Sequence, residues 1–389
     1  MVLYNVFMEI QRFLTQRLQK ELEAGKVVIL YGPRRVGKTT LIHSLLGKLA
    51  YQHRLVSGDE ITYRQDLASQ NKRILAQFVE GVELLVIDEA QRIENIGLNL
   101  KILVDNFPTI RFIATGSASL DLANKISEPL TGRKKTFTLY PVGFAELAAT
   151  YGTFEARERL EEWLIWGTYP EVVTIGEKER KKSYLDELAG SYLYKDILEL
   201  EGIRYPGKIA DLLRLLAFQI GQEVSLSELA ANLAINRETV ERYLYLLEQS
   251  FVIFQVRGFS RNLRKEVVKN HRWYFYDNGI RNSLIQNFNG LTLRNDTGQL
   301  WENFLAVERR KANQAQNRLV NTYFWRTYDQ KEIDLIEEGE GKLWAFELKW
   351  QGELRKSTKK AFAQAYPGAH VATVTKDSFE PFISPPRSH

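Results

Sequence analysis

Cysteine is absent from this chain of 389 residues, and histidine is scarce. Without thiols the protein can form no disulfide, no thiolate metal centre and no cysteine nucleophile. The five histidines show no metal-ligand spacing and stand at positions 43, 53, 271, 370 and 389. This usage suits a reducing compartment, and we expect a cytoplasmic protein.

Long apolar runs are also absent. No segment approaches the ~20 apolar residues of a membrane-spanning helix. Glu9 and Arg12 interrupt the apolar pattern near the amino terminus, which is not typical of a secretory signal. A strong excess of one charge is missing too, because the net charge is only +5. We therefore expect no membrane partner, and any argument for a nucleic-acid partner must rest on local clusters of charge.

The strongest pattern in the chain is Gly-x-x-x-x-Gly-Lys-Thr, which runs from Gly32 to Thr39. An apolar run, Val27–Leu30, precedes it and predicts a buried parallel strand, while Leu41 and Ile42 follow as the first apolar pair of a helix. A strand, a glycine-rich loop and a helix in this order are the context of a nucleotide site. The alternative is a glycine-rich turn in an ordinary α/β domain.

The loop has the residue types that a triphosphate needs. Gly32 and Gly37 free the backbone to curl, so successive N–H groups can point at phosphate oxygens, and the helix beginning near Lys38 adds its positive end. Lys38 would bridge the β- and γ-phosphates, and the Thr39 hydroxyl would hold Mg²⁺. We predict that the nucleotide is bound by Gly32, Pro33, Arg34, Arg35, Val36, Gly37, Lys38, Thr39 and Thr40.

A second motif lies within Glu83–Ala90. It consists of a continuous apolar run that is followed directly by Asp88 and Glu89. This is the Walker B pattern, in which acids follow a buried strand. Asp88 would hold the Mg²⁺ shell through water, and Glu89 would be the base that orients the attacking water. The alternative is a simple helix cap.

A third strand is predicted over Ile110–Thr115, with small hydroxyl residues at its carboxyl end. Ligands of doubly wound sheets bind at that edge, so one of Thr115, Ser117 and Ser119 could sense the γ-phosphate. We prefer Ser117, and plain turn chemistry is the alternative. Arg133, which follows a glycine, is either an arginine finger or sensor, supplied in cis or by a neighbouring subunit, or part of a solvated basic turn.

The chain resembles the AAA+-type ATPases of the archaeal-ATPase/STAND-related group in four segments, which are GPRRVGKTTL, LLVIDEAQ, IATGSAS and LTGRKKTFTLYPVGFAEL. Proteins of this group occur in bacteria and archaea and often carry a fused carboxyl-terminal domain. The resemblance implies ATP as the nucleotide, with Mg²⁺. It also allows a homo-oligomer in which Arg133 acts on a neighbouring subunit.

We expect an α/β protein, because the chain is long enough for two or three cores and its apolar runs alternate with helical patterns. Residues 1–145 would form a P-loop NTPase domain with a parallel sheet, and residues 146–205, which are helical and densely charged, would form a helical lid. Residues 206–278 would form a winged helix-turn-helix, in which Ser225 caps the second helix. Residues 279–389 would form a further α/β domain.

Basic residues gather in the predicted wing, over residues 257–272. They stand at positions 257, 261, 264, 265, 269 and 272, against a single acid, Glu266. Phosphate contact requires such a local excess of arginine and lysine. We therefore predict that the wing binds double-stranded or branched DNA by contacting the phosphate backbone of the DNA. The mixed charges of the preceding helix offer little base readout, and a protein-docking role is the alternative.

The last part of the chain predicts the element order α-β-β-β-α-β. Its opening helix carries Glu302, its second strand carries Asp334, and Glu347 and Lys349 lie in its third strand. Residues two apart in a strand face the same side, so Glu347 and Lys349 project together. Asp334 on the neighbouring strand can meet them.

This arrangement resembles the PD-(D/E)xK nuclease superfamily and implies a restriction-endonuclease-like α/β domain. By that resemblance Asp334 and Glu347 bind Mg²⁺, and Lys349 positions the water or the scissile phosphate. Glu302 completes the metal shell. The proline that names the motif is absent, since Ile333 precedes Asp334.

Together these patterns predict an ATP-hydrolysing AAA+-type protein that couples its nucleotide state to DNA binding or processing. Mg²⁺-dependent DNA cleavage by the carboxyl-terminal domain is a further hypothesis. The alternative is a STAND-like nucleotide-controlled switch or docking protein, in which hydrolysis gates the binding of a partner and the carboxyl-terminal domain has no nuclease activity.

Overall fold

The computed structural model describes residues 10–117, 130–192, 205–260 and 271–384. The chain divides into two compact units. The amino-terminal unit comprises residues 11–141 together with residues 249–251, and the carboxyl-terminal unit comprises most of the remainder, residues 142–248 and 252–389. Within the described ranges, no helix is both long enough and apolar enough to cross a membrane.

A parallel sheet forms the centre of the amino-terminal unit. Its strands are β1 Val27–Tyr31, β2 His53–Ser57, β3 Leu84–Asp88, β4 Arg111–Gly116 and β5 Lys134–Thr138, in the spatial order β2-β3-β4-β1-β5. The helices of this unit include α1 Leu14–Glu21, α2 Lys38–Leu46, α3 Ile61–Leu67, α4 Lys72–Ala76 and α5 Ile96–Asn106. This five-stranded parallel sheet matches the P-loop NTPase fold that the sequence predicts.

The central strands are buried on both faces. Every residue of β1 and β3 is buried, and helices cover the sheet from each side. Ile29 belongs to the apolar cluster that contains Leu100 of α5, whereas its neighbour Leu30 belongs to the cluster that contains Leu41 of α2. When helices cover both faces of a parallel sheet, a ligand can bind at the carboxyl ends of the strands. The carboxyl ends of β1, β3 and β4 lie side by side here.

Helices make up the first part of the carboxyl-terminal unit. They include α6 Phe144–Tyr151, α7 Thr153–Glu158, α8 Leu160–Trp166, α9 Pro170–Thr174, α10 Lys178–Glu187, α11 Pro206–Phe218, α12 Leu226–Leu233 and α13 Arg237–Gln249. Ser225 caps α12 as predicted, since its hydroxyl accepts a hydrogen bond from the backbone N–H of Glu228 at 3.4 Å. Asn236 precedes α13 and accepts from the N–H of Thr239 at 2.7 Å.

A second sheet completes this unit. Its strands are β6 Glu223–Val224, β7 Ile253–Gly258, β8 His271–Phe275, β9 Asn321–Arg326, β10 Glu332–Gly339, β11 Lys342–Leu348 and β12 His370–Val374, in the order β12-β11-β10-β9-β7-β8-β6. The remaining helices include α14 Asn278–Leu284, α15 Thr297–Ala315, α16 Lys356–Ala365 and α17 Glu380–Ile383.

This sheet crosses the predicted boundary between residues 278 and 279. Strand β7 of the predicted wing pairs in parallel with β9 of the predicted last domain, with Arg257 opposite Tyr323. Pairing satisfies the backbone groups of what would otherwise be two open sheet edges. The predicted winged helix and the predicted last domain therefore share one sheet and one compact unit.

The order α15-β9-β10-β11-α16-β12 agrees with the predicted α-β-β-β-α-β pattern. Strand β10 pairs antiparallel with β9 and β11, and β12 is parallel to β11. The register between β10 and β9 shifts between Ile333 and Ile336. Asp334 thus lies at an irregularity of the sheet, where a bulged strand can redirect a side chain.

Candidate functional site

The phosphate loop follows β1 at the carboxyl edge of the first sheet. Gly32 has a φ of +153°, and a Cβ there would lie 2.3 Å from the carbonyl oxygen of Leu139. Gly37, at the start of α2, has a φ of +93°. Both positions thus require glycine, the first for close backbone approach and the second for a left-handed conformation. The sequence predicted that these two glycines free the backbone to curl, and their role toward a phosphate stays a prediction.

Lys38 is buried inside the loop, with 6% of its surface exposed. Its Nζ donates hydrogen bonds to the carbonyl oxygens of Gly32 at 2.9 Å and Pro33 at 3.0 Å. The ammonium group therefore lies against the curled backbone of the loop. Of the other predicted loop residues, Val36 is buried, whereas Arg35, Thr39 and Thr40 are exposed and Arg34 is partly buried.

Arg12 supports the loop from outside the motif. Its guanidinium donates to the carbonyl oxygen of Val36 at 3.1 Å and to that of Tyr140 at 2.6 Å. One planar side chain thus ties the phosphate loop to the segment after β5. Sequence reasoning missed this role, because Arg12 is 24 residues from Val36 and its partners are backbone atoms that no residue pattern reveals.

Asp88 lies at the end of β3 and faces the loop. The Thr39 hydroxyl donates to Asp88 Oδ2 at 2.8 Å, and the Thr115 hydroxyl donates to Asp88 Oδ1. The backbone N–H of Glu89 also donates to Asp88 Oδ1, at 3.1 Å. A hydroxyl and a carboxylate are oxygen donors of the kind that Mg²⁺ takes. These residues therefore fit the Mg²⁺ that accompanies a nucleotide.

Glu89 and Ser117 are joined by a residue that the sequence analysis did not single out. Gln91 Nε2 donates to Glu89 Oε2 at 2.5 Å and to the Ser117 hydroxyl at 3.1 Å. Its Oε1 is buried without a hydrogen-bond partner among the described residues. Glu89 itself has a φ of +50°, an uncommon conformation for a residue with a side chain. Ser119 lies outside the described residues.

Arg133 lies far from the loop. It immediately precedes β5, and its carbonyl oxygen accepts a hydrogen bond from the N–H of Val27 at the amino end of β1. The phosphate loop begins at the other end of that five-residue strand, about 16 Å away. Arg133 Nη2 lies 3.1 Å from Asp105 Oδ1. Arg133 was predicted to act either on the nucleotide of its own chain or on that of a neighbouring subunit. Its distance from the loop leaves action on a neighbouring subunit as the proposal.

Most of the predicted DNA-binding segment, residues 261–270, lies outside the described residues. At its edges, Arg257 is exposed but Arg272 is only 2% exposed and pairs with acids. The prediction counted Arg272 among the cations that contact phosphate. Its burial corrects that assignment, because a guanidinium enclosed by carboxylates is not presented to DNA.

A second set of ionisable side chains lines a cavity of about 540 Å³ in the carboxyl-terminal unit. We call it the carboxylate cleft, and its charged residues include Glu302 of α15, Glu332 and Asp334 of β10, Lys349 after β11, and Arg272 of β8. Glu347 of β11 lies beside it, with its Oε1 2.9 Å from Lys349 Nζ. The predicted quartet of Glu302, Asp334, Glu347 and Lys349 is thus brought together.

Arg272 lies among these acids. Its Nη1 is 3.4 Å from Glu302 Oε1 and 3.7 Å from Asp334 Oδ1, and its Nη2 pairs with Glu332. The Tyr274 hydroxyl also donates to Glu302 Oε1, at 2.6 Å. Sequence reasoning placed Arg272 in the wing, because the sheet that joins β8 to β10 cannot be read from local periodicity.

The acids of the cleft are hard to ionise together. Burial, followed by the charge of Asp334, raises the pKa of Glu302 to about 8 in spite of Arg272. Burial and the same aspartate raise the pKa of Glu347 to about 7, and burial raises the pKa of Asp334. Buried carboxylates with raised pKa values bind a proton or a cation favourably.

Two of the three predicted Mg²⁺ ligands of the cleft fit a cation. Glu347 Oε2 is buried without a hydrogen-bond partner in the described chain, and Asp334 lies beside it, with Lys349 Nζ 2.9 Å from Glu347 and 4.0 Å from Asp334. Glu302 is already bonded to Arg272 and Tyr274. In the described ranges no group of three His, Cys, Asp or Glu side chains forms a ready metal site.

Asp277 belongs to a polar network that no motif revealed. Its carboxylate accepts hydrogen bonds from the backbone N–H groups of Thr168 at 2.7 Å, Gly279 at 2.8 Å and Ile280 at 3.2 Å. A Cβ on Gly167 would lie 2.0 Å from Asp277 Oδ1. Burial outweighs these hydrogen bonds and raises the pKa of Asp277 to about 6. The group caps α14 and joins it to the segment after α8.

Comparison with protein families divides the chain into three matched regions. Residues 24–148 match the family described as AAA domain. Residues 157–291 match the domain of unknown function DUF8612, and residues 297–382 match the domain of unknown function DUF4143. The region that contains the phosphate loop, Asp88 and Arg133 is therefore an AAA domain.

Several proteins resemble the chain over most of its length. The uncharacterized protein Rv2008c of Mycobacterium tuberculosis is 32% identical over 374 residues, which cover 91% of this chain and 79% of that protein. The uncharacterized protein MJ1544 of Methanocaldococcus jannaschii is 25% identical over 350 residues, covering 85% and 76%. The solved structure of the Walker-type ATPase PABY2304 of Pyrococcus abyssi shows 16% identity and a TM-score of 0.49, covering 70% of this chain and 94% of that one.

Proposed function

This chain belongs to the family of Rv2008c and contains an AAA domain with a P-loop, and we propose that it binds and hydrolyses ATP in the presence of Mg²⁺. The observation that carries the proposal is the hydrogen bond between Thr39 and Asp88, 2.8 Å long, beside the buried Lys38. It joins the two motifs that nucleotide hydrolysis needs, although they are 49 residues apart.

Each residue of the site has a role that follows from its chemistry. The loop backbone and Lys38 hold the β- and γ-phosphates, since amide N–H groups and an ammonium neutralise the charge of a triphosphate. Thr39, and Asp88 through water, would hold Mg²⁺, which supplies positive charge to a bound triphosphate. Glu89 orients the attacking water and accepts its proton. Ser117, bonded to Gln91, senses the γ-phosphate.

Hydrolysis is tested by phosphate release from Mg²⁺-ATP with the full chain, the Glu89→Gln variant and the Glu94→Gln variant. Glu89→Gln should lower kcat at least about 100-fold while ATP still binds, because the substitution removes only the proton acceptor. Glu94→Gln changes an acid five residues away and should retain wild-type turnover. Equal turnover of the wild type and Glu89→Gln would contradict the assigned base.

We propose double-stranded or branched DNA as the partner, bound through the basic residues of segment 257–272 other than the buried Arg272. The support comes from its sequence, which concentrates arginine and lysine beside the helices α11 to α13. The triple substitution of Arg264, Lys265 and Lys269 to Ala should reduce the dependence of log K on log salt by roughly one per lost phosphate contact. An unchanged salt dependence would exclude this segment as the DNA contact.

A second candidate function is Mg²⁺-dependent cleavage of the DNA backbone in the carboxylate cleft. It is favoured by the unpartnered Glu347 Oε2 beside Asp334 and Lys349. Asp334 and Glu347 would hold the ion, which lowers the pKa of a bound water, and Lys349 would steady the scissile phosphate. In this proposal residues 279–389 act as a restriction-endonuclease-like module.

Cleavage is tested with Mg²⁺, ATP and several forms of DNA, comparing the wild type with Asp334→Ala and Asp329→Ala. Asp329 is an exposed acid of the β9–β10 turn and is the matched control. Cutting that disappears only in Asp334→Ala supports the nuclease. Persistent ATP turnover without cutting of any DNA form favours the alternative, a nucleotide-controlled switch that docks a partner.

We also propose that residues 146–205 act as the helical lid of the nucleotide site.

We propose further that Arg133 acts on the nucleotide of a neighbouring copy of the chain. The position of Arg133 at the amino end of β5 supports action in trans. The molar mass in solution should then rise on addition of Mg²⁺-ATP. A mixture of Arg133→Ala and Lys38→Ala should recover hydrolysis, because each variant supplies what the other lacks. A monomer with full turnover would contradict this assignment.

A further inference from the structure

Arg272 occupies an unusual place for an arginine, at the centre of an acidic cluster. Its guanidinium is within ion-pair distance of Glu302, Glu332 and Asp334, and 2% of the side chain is exposed. The aromatic ring of Phe324 lies 4.5 Å below the guanidinium carbon. Contacts on several sides fix the cation in position, so it is a permanent part of the cleft and not a surface charge.

Glu302 is enclosed by these contacts. Its Oε1 receives the Tyr274 hydroxyl at 2.6 Å and faces Arg272 Nη1 at 3.4 Å. Gly221 lies against the same carboxylate, because a Cβ on that glycine would be 3.0 Å from Oε1 and 3.3 Å from Oε2. The Oε1 atom is therefore already engaged by a hydroxyl and a guanidinium, and backbone lies against the carboxylate, which reduces the capacity of Glu302 to coordinate a metal ion.

The other end of the cleft has the opposite character. Glu347 Oε2 is buried without a hydrogen-bond partner among the described residues. Asp334 Oδ2 accepts one backbone N–H, from Leu348 at 2.8 Å, and its Oδ1 is 3.7 Å from Arg272. Unused capacity of carboxylate oxygens therefore remains at Asp334 and Glu347, whereas Glu302 Oε1 already has two partners.

We propose that Arg272 is a built-in counter-ion that keeps Glu302 out of the metal shell, so that the cleft binds one divalent cation through Asp334 and Glu347. Arg272 provides the positive charge that a second ion would otherwise supply to Glu302 and Glu332. A catalytic role for this ion depends on the proposed cleavage function. The number of ions and their ligands rest on the contacts of Arg272, Glu302, Asp334 and Glu347.

Removal of Arg272 should have a specific consequence. Glu302, Glu332 and Asp334 would remain close together without their shared cation, and buried carboxylates in this condition require a proton or another cation. A variant that lacks the guanidinium should accept a further divalent ion near Glu302. An ordinary structural ion pair elsewhere in the unit should give no such gain.

The test counts bound Mn²⁺ by equilibrium dialysis, with electron paramagnetic resonance of the free ion as the readout. Mn²⁺ suits carboxylate ligands and reports binding without any cleavage. The full chain is used without nucleotide and with Asp88→Asn, which removes the carboxylate of the phosphate-loop site. The expected result is one Mn²⁺ per chain in the cleft.

Substitutions then identify the ligands. Asp334→Asn and Glu347→Gln should weaken Mn²⁺ binding at least about tenfold, whereas Glu302→Gln should change the Kd less than about threefold. Arg272→Met should bind a second Mn²⁺ or bind the first at least about tenfold more tightly. Arg309→Met is the matched control, because Arg309 is also buried and pairs with the buried Glu337 at 2.6 Å. It should bind Mn²⁺ as the parent protein does.

Two results would overturn the inference and leave the proposed cleavage function standing. One is a loss of affinity in Glu302→Gln as large as that in Asp334→Asn. The other is identical Mn²⁺ binding by Arg272→Met and Arg309→Met. If the Arg272→Met protein does not fold, the comparison of Glu302→Gln with Asp334→Asn decides the question. Absence of Mn²⁺ from the parent protein would overturn both the inference and metal-dependent cleavage, but not ATP hydrolysis.

Discussion

The hydroxyl of Thr39 donates a hydrogen bond to Asp88 Oδ2 at 2.8 Å, which joins the first turn of α2 to the carboxyl end of β3. The two residues belong to different motifs, and the parallel sheet places the ends of β1 and β3 at one edge. Both are oxygen ligands suited to Mg²⁺. The geometry therefore brings together the two side chains to which we assign the Mg²⁺ of the proposed nucleotide site.

Replacement of Thr39 by Ala should raise the KM for Mg²⁺-ATP and lower kcat, with a combined loss of at least about tenfold in kcat/KM. The hydroxyl has two tasks, since it positions Asp88 and ligates the ion. Thr39→Ser retains the hydroxyl and should recover most of the activity. Steady-state kinetics across a range of Mg²⁺ concentrations measure both variants. Equal losses in Thr39→Ala and Thr39→Ser would show that the hydroxyl is not responsible.

Replacement of Arg12 by Ala should weaken ATP binding by about tenfold, because the loop would lose its link to the segment after β5. The loss should appear chiefly in KM, since Arg12 positions the loop and does not contact the reacting atoms. Arg17→Ala is a control on α1, where the guanidinium lies 5.0 Å from the Phe137 ring. If both variants lose the same affinity, a general effect on α1 explains the result.

Gln91→Leu should lower kcat by about 10- to 100-fold and leave the Kd for ATP nearly unchanged, because Glu89 would lose the amide that holds it. Leucine has a similar volume, so packing is retained. The loss should be smaller when Ser117 is already Ala, since one hydrogen-bonded chain connects the three residues. Additive losses in the double variant would contradict this connection.

Asp277 should make the stability of the carboxyl-terminal unit fall as the pH rises. The folded pKa of Asp277, about 6, exceeds its ordinary value near 3.8, so the folded state holds a proton that the unfolded chain has lost between these values. The contribution is complete below pH 3.8 and is lost as the pH passes 6, by about 3 kcal/mol. The unfolding free energy of the wild type should therefore fall relative to that of Asp277→Asn, by about 2 kcal/mol from pH 4 to pH 7.

Asp296→Asn provides the matched control for this pH dependence. Burial alone would raise the pKa of Asp296, but hydrogen bonds from Arg294 and Arg281 outweigh it and lower the pKa. The stability that Asp296 contributes is thus present above its ordinary pKa and is lost as the pH falls. A difference between wild type and Asp277→Asn that stays constant with pH would contradict the raised pKa.

The sequence was sufficient where a local pattern determines a local structure. The strand, loop and helix around Lys38 follow from apolar periodicity and from two glycines with distinct backbone roles. Asp88 could be placed because parallel strands end at a common edge. The caps at Ser225 and Asn236 follow from the same kind of local rule, in which a short polar side chain satisfies the first N–H groups of a helix.

The sequence was insufficient where distant segments meet. The pairing of β7 with β9 joins residues 66 positions apart, such as Arg257 and Tyr323, and no periodicity specifies which edges pair. Arg272 therefore appeared to be a DNA-binding cation, although the sheet directs it into an acidic cleft. Arg12 was missed for a related reason, since its partners are backbone carbonyl groups. Arg133 was considered as an arginine finger because of its residue type. The direction of the parallel strands places it at the amino ends of the strands, whereas the phosphate loop lies at their carboxyl ends.

The central claim is that the loop around Lys38 binds a nucleoside triphosphate, and titration of the full chain with Mg²⁺-ATP in a calorimeter tests it most directly. The account predicts saturable binding by the wild type and by Lys48→Ala, an exposed lysine just beyond α2. Lys38→Ala should bind at least about 100-fold more weakly, because a buried ammonium that faces the phosphates is lost. Absence of binding by the wild type, or equal affinity of Lys38→Ala, would contradict the account.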